Sequence, residues 1–196
     1  MKLSLLAAVA GLVLVTGVAQ AQATNQVGIY VTPIVSRISN NADTGVFAFL
    51  GPNKTSQIFA GFGMGFYDSF SHTPSIDAGI DVRGDFLQGN GAHLSSFLVG
   101  PRVSFKPVRY GFKPYVEAMI GVGRSRPAHT PASLGRLQYG AAVGADYAIA
   151  SHVDFRVLEI GYGAVETISS STYNGNTNPS TSQQISFRTG LVFRFP

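Results

Sequence analysis

Apolar and polar residues alternate one for one over much of this chain, most clearly between positions 76 and 87. There Asp77, Gly79, Asp81, Arg83 and Asp85 share one parity, and Ile76, Ala78, Ile80, Val82 and Phe86 share the other. A period of two over this length predicts a β-strand with one wet face and one apolar face. Seven further segments carry the pattern, at about 27–37, 57–67, 93–105, 112–123, 137–148, 152–163 and 184–195. In the second, Gly61, Gly63 and Gly65 oppose Ile58, Ala60, Phe62, Met64 and Phe66; in the fifth, Lys113, Tyr115, Glu117 and Met119 oppose Phe112, Val116, Ala118 and Ile120. The sixth sets Gln138, Gly140, Ala142, Gly144 and Asp146 against Tyr139, Ala141, Val143, Ala145 and Tyr147, and the noisier fourth sets Ser96, Gly100, Arg102 and Ser104 against Phe97, Val99, Val103 and Phe105. The last alternates Gln184, Ser186, Arg188, Gly190 and Arg194 with Ile185, Phe187, Leu191, Phe193 and Phe195.

Two segments break the rule. Pro33 cannot donate to a ladder and predicts a bulge or an edge position in the first. The seventh loses parity between Arg156 and Glu159, and a β-bulge near Val157-Leu158 would restore it; Glu159 faces outward only without that bulge.

Connections alternate in length. Those at 38–56, 88–92, 124–136 and 164–183 are mostly longer and rich in Ser, Thr, Asn, Gly and Pro, whereas 68–75, 106–111 and 149–151 are short. Long loops on one side and short turns on the other are the layout of a membrane β-barrel, with the short turns and both termini periplasmic and the long loops extracellular. The expectation is therefore an all-β, eight-stranded antiparallel up-and-down transmembrane barrel.

Composition supports that expectation. Hydrophobic residues make up 45% of the chain and charged ones only 12%, about half of what a water-soluble domain carries. Met1-Lys2, the apolar run Leu3 to Val18 and the Ala19-Gln20-Ala21 site read as a signal peptide over 1–21, leaving one domain over 22–196. No later run reaches the ~20 apolar residues of a spanning helix. With no cysteine there is no disulfide or thiolate metal site, so closure of the sheet must hold the fold. The formal charge of +4 includes Lys2, which leaves +3 for 22–196, too little and too scattered for nucleic acid.

Parity alone does not say which face is inside; a secreted lipocalin-like barrel would invert it. The polar face holds most strand glycines, as a narrow interior requires, and the other face is almost free of charge. Phe66, Phe105, Phe112, Tyr139, Tyr147 and Tyr162 fall near strand ends, as interfacial girdles do. The inward charges are then Asp77, Asp81, Arg83, Asp85, Arg102, Lys113, Glu117, Asp146, Asp154, Arg156, Arg188 and Arg194, six acidic and six basic. Balanced charge in a narrow lumen predicts a paired network that plugs the interior, with a selective narrow pore as the alternative.

With these features the chain resembles the OmpA-like superfamily of eight-stranded outer-membrane β-barrels. Its C-terminal Leu191, Phe193 and Phe195 resemble the closing strand that serves such proteins as an assembly signal. The resemblance implies insertion by the outer-membrane assembly machinery, contact with outer-membrane lipid and lipopolysaccharide, a monomer, no cofactor, and a structural, surface-interaction or small-solute role; no peptidoglycan-binding domain is expected. Some such barrels hydrolyse lipid A with an outward His-x-Ser pair, and His93-Leu94-Ser95 has that form. Ser96 stands where the deacylase pattern has Asn, and the third group to orient the pair would be Glu159 only if strand seven has no bulge, so no catalytic residue is assigned. His72, His129 and His152 lack ligand spacing. Arg124, Arg126 and Arg136 flank one outer loop and form a candidate site for lipopolysaccharide phosphates.

Overall fold

The computed structural model describes residues 26–41, 45, 48–106, 111–128, 133–168 and 180–195. The segment read as a signal peptide, His129, Pro196 and most of the Ser/Asn-rich stretch before Ser180 lie outside the described residues.

Eight strands follow one another: β1 (Gln26–Ser39), β2 (Ser56–His72), β3 (Ile76–Gly89), β4 (Ala92–Phe105), β5 (Phe112–Arg126), β6 (Leu134–Ala150), β7 (Val153–Thr167) and β8 (Ser180–Phe195). Each is antiparallel to its neighbours, and β1 pairs with β8, so the sheet closes into a barrel. The strands are 14 to 17 residues long; β5 to β8 outrun the expected segments mainly toward the end carrying the longer loops, whereas β2 runs on to His72 at the short-turn end. One connection at that end is tight: Asn90 and Gly91 both have positive φ, 48° and 80°, the pairing a two-residue type I′ hairpin needs.

Pro33 makes neither a bulge nor an edge. Its register with β2 runs unbroken opposite Phe62. On the β8 side the pairs stop at Val31 and resume at Ile34, so the proline's missing donor falls in a local gap in that ladder. The gap lies beside the predicted irregularity in β7: Arg156 pairs with Gly190 and Glu159 with Arg188, leaving Val157 and Leu158 opposite one residue of β8. Both bulged residues point outward, and Glu159 is returned to the inner face, fully buried.

Alternation of burial follows parity all around. Among the described residues, thirty large apolar side chains stand at least 37% exposed on the outer face. Phe105, Phe112 and Tyr147 lie at the short-turn end, with the Phe112 and Tyr147 rings 5.0 Å apart, while Tyr139 and Tyr162 lie nearer the long loops.

Candidate functional site

The interior is filled in layers. At its middle, Arg83 donates from Nε to Asp81 Oδ1 at 3.1 Å, from Nη1 to Glu159 Oε1 at 2.7 Å and from Nη2 to Glu117. Arg156 donates to Asp146 Oδ1 at 3.0 Å and Glu159 Oε2 at 2.9 Å, and Arg102 donates to Asp146 Oδ2 at 2.9 Å. Arg188 holds Asp85 through two parallel bonds of 2.7 and 2.8 Å, the bidentate geometry that guanidinium favours with carboxylate. Its Nε lies 3.2 Å from Glu159. Each of these side chains makes at least one hydrogen bond to an opposite charge, which offsets the cost of burial, while Arg102 Nη1 faces Asp81 Oδ2 and Glu117 Oε2 at 3.8 and 3.6 Å without a hydrogen bond.

Three tyrosines interleave with the guanidiniums. Tyr67, Arg102, Tyr115, Arg156, Tyr30 and Arg83 follow one another with cation-to-ring distances of 4.4, 3.5, 4.9, 4.4 and 5.7 Å, one residue from each of six strands. Cation–π contact strengthens with burial, and all six of these residues are at most 5% exposed. The Tyr30 hydroxyl donates to Asp81 and that of Tyr115 to Glu159, both at 2.7 Å. Each ring lies over a glycine directly opposite on the next strand: Tyr30 over Gly65, Tyr67 over Gly28 and Tyr115 over Gly144. A methyl added at Gly65 or Gly144 would sit 2.5 Å from the ring's phenol end. The inward glycines read from the sequence as room for charges thus also seat the aromatic rings between them.

The twelve residues predicted as one network form two groups. Asp81, Arg83, Asp85, Arg102, Glu117, Asp146, Arg156 and Arg188 join Glu159 in the central cluster. Asp77, Lys113, Asp154 and Arg194 line the short-turn mouth instead. There Asp154 meets both Lys113 and Arg194 at 2.8 Å, and Asp77 meets Lys106 at 2.6 Å and His72 at 2.7 Å. Toward the long loops the lumen turns from charged to neutral: Ser96 donates to Gln138 at 2.6 Å, and Gln138 donates to Gln184 at 3.1 Å. Beyond these amides lies an apolar cap. Ile34, Ile38, Phe59, Leu87, Leu94 and Val165 point inward and enclose Phe49 and Leu50 of the β1–β2 loop, with the Phe49 and Phe59 rings stacked 5.4 Å apart.

Leu191, Phe193 and Phe195 face outward along β8, about 42 to 49% exposed. His93 and Ser95 also face outward, as parity predicts. Glu159, the group considered for orienting them, is inside the lumen, across the wall. The three loop-flanking arginines are divided: Arg124 and Arg126 face outward, whereas Arg136 shares the inward parity of Gln138.

No protein-family model matches the chain, and neither does any curated protein sequence. Solved structures do. Neisserial surface protein A, NspA, superposes with a TM-score of 0.54 at 12% identity, covering 86% of this chain and 97% of its own. Ail, the attachment invasion locus protein of Yersinia pestis, superposes at 0.51 with 10% identity, covering 87% and 99%; its complex with the heparin analogue sucrose octasulfate also scores 0.51. At such identities the likeness is one of fold, and the fold is that of the eight-stranded outer-membrane β-barrels.

Proposed function

We propose that this protein is a monomeric outer-membrane β-barrel with a largely occluded polar lumen, acting structurally and through its outer loops as a surface-contact protein. The observation that carries the reading is the contrast between the two faces of one wall: a continuous exposed apolar belt outside, and inside an arginine–tyrosine stack that draws on six of the eight strands. A soluble protein rarely leaves so much contiguous apolar surface bare, and lipid is the solvent that accepts it. The termini and short turns are assigned to the periplasm and the long loops to the exterior, from the length asymmetry.

Outward Leu191, Phe193 and Phe195 are assigned as the recognition signal for the assembly machinery. The partners proposed are this machinery, outer-membrane lipid and lipopolysaccharide, and a surface ligand; nucleic acid is not among them. No enzymatic activity is proposed: among the described residues the cleft around His93 and Ser95 is lined by Arg124, Arg126 and Ser133, and Glu159 lies inside the lumen. Ail is named for attachment and invasion, and a contact role for the long loops of this chain is the corresponding proposal.

The experiment is migration in SDS gels with and without heating, together with surface protease shaving of whole cells. A compact unheated form and cleavage confined to the long loops support the reading; a single, heat-indifferent band would sink it.

A further inference from the structure

A guanidinium on the lipid-facing wall of a barrel is expensive unless it lies at the edge of the bilayer and meets an anion there. Near the long-loop end, β4 and β5 present two directly opposed outward pairs, His93 with Arg126 and Ser95 with Arg124. Together with Ser133 they line a cleft of about 350 Å3 on the outer wall. The Ser133 hydroxyl accepts from both Nε and Nη2 of Arg124, at 3.0 and 2.6 Å, which restrains that guanidinium. Among the described residues no carboxylate pairs with His93, Arg124 or Arg126.

What lies beneath the cleft defines the ligand. The next outward pair along the same two strands is Phe97 with Val122, and the one after it is Val99 with Ile120. Phe97 and Ile120 are 61% and 56% exposed. Each step of two residues advances about 7 Å, so the strip runs about 14 Å from the cationic row, roughly the depth of one leaflet's hydrocarbon. The wall therefore has a cationic head and an apolar tail in one continuous track. Two guanidiniums, an imidazole and two hydroxyls supply more converging donors than a carboxylate's two oxygens use, and suit the three terminal oxygens of a phosphate ester. By contrast, Arg37, the outward arginine of β1, shares its pocket with no second cationic side chain and makes one hydrogen bond, to the Ser56 hydroxyl at 3.4 Å.

We infer that His93, Ser95, Arg124, Arg126 and Ser133 bind the phosphomonoester of a phosphorylated membrane lipid whose acyl chains lie along Phe97, Val122, Val99 and Ile120. This rests on the membrane-barrel reading and adds to it a site and a ligand chemistry. It also replaces Arg136, which the sequence groups with the other two arginines, by His93 and the two serines.

The test uses the protein refolded in detergent micelles and offered lipid A carrying two phosphates, dephosphorylated lipid A, or inorganic phosphate, with retained lipid counted by native mass spectrometry. Heated and unheated gels of the same samples report the barrel separately. The wild type and Arg37→Gln should retain the phosphorylated lipid alike, and the Arg124→Gln/Arg126→Gln double variant should retain it at least tenfold more weakly. Three results would overturn the site: equal retention by the double variant, equal retention of dephosphorylated lipid, or displacement of lipid A by an equal concentration of inorganic phosphate. Loss of the compact unheated band by the wild type would instead overturn the barrel reading on which the site depends.

Discussion

Glu159 and Arg83, from strands on opposite parts of the wall, meet across the lumen at 2.7 Å. The same carboxylate accepts from Arg156 and Tyr115 and lies 3.2 Å from Nε of Arg188, so one side chain serves three guanidiniums. Glu159→Gln keeps the shape and removes the charge. Removing one partner of a buried ion pair costs about 3–5 kcal/mol, and the amide's retained acceptor points to the lower end, about 3 kcal/mol. Urea unfolding in lipid vesicles, followed by gel mobility, measures it. The outward Glu166→Gln should stay within about 0.5 kcal/mol of wild type.

Gly144 gives a second quantity. Its substitution by Ala places a methyl 2.5 Å from the Tyr115 ring, and overpacking of this kind costs about 1–3 kcal/mol. The same substitution in a Tyr115→Ala background should cost clearly less, since the clash is gone. Unfolding free energies of the two single variants and the double variant give the coupling; an additive result would contradict the proposed seating of ring on glycine.

Conductance bears on the stack itself. Refolded wild type in planar bilayers is expected to give no stable single-channel steps, because Arg102 lies 4.4 and 3.5 Å from the rings on its two sides. Reproducible steps whose size changes with Arg102→Gln or Glu117→Gln would establish a solute path through the charged layer and favour the channel reading.

The apolar cap is testable by protease. Phe49→Ala removes the stack on Phe59 and frees the loop that carries Lys54. An aromatic pair contributes about 0.5–1.5 kcal/mol beyond its burial. Tryptic cleavage after Lys54 should thus rise about tenfold or more, a factor that corresponds to about 1.4 kcal/mol, while the strands stay protected.

Strand number, direction and facing were legible because a two-residue period is enforced at every step of a wall with different solvents on its two sides. Arg83, Arg102, Asp146 and Arg188 all point inward as parity requires. The hub of the cluster was harder to place. Glu159 follows an inserted residue, and its facing depends on whether β7 bulges, a question of pairing with β6 and β8. The cap was hidden for a different reason: Phe49 and Leu50 lie in a loop with no period, and inward Ile34, Ile38 and Leu94 run against the rule that apolar means outward. The tyrosine stack is likewise an effect of register, since Tyr30, Tyr67 and Tyr115 are far apart in the chain and share only a level in the barrel. Arg136 shows the limit of proximity in sequence, turning inward while Arg124 and Arg126 turn out.

Closure of β1 on β8 joins Val27 to Phe195 and Ser39 to Gln183. Every other ladder joins strands consecutive in the chain, so a sheet could grow from the N-terminal side during synthesis, but it would carry two open edges until the final strand was made. Open edges are templates for pairing with other chains, and an apolar outer face exposed to water compounds the hazard. A protein wired this way benefits from being kept unfolded in transit and from having its last strand recognised first at the membrane, so that the edge which completes the ring is captured before the ring exists.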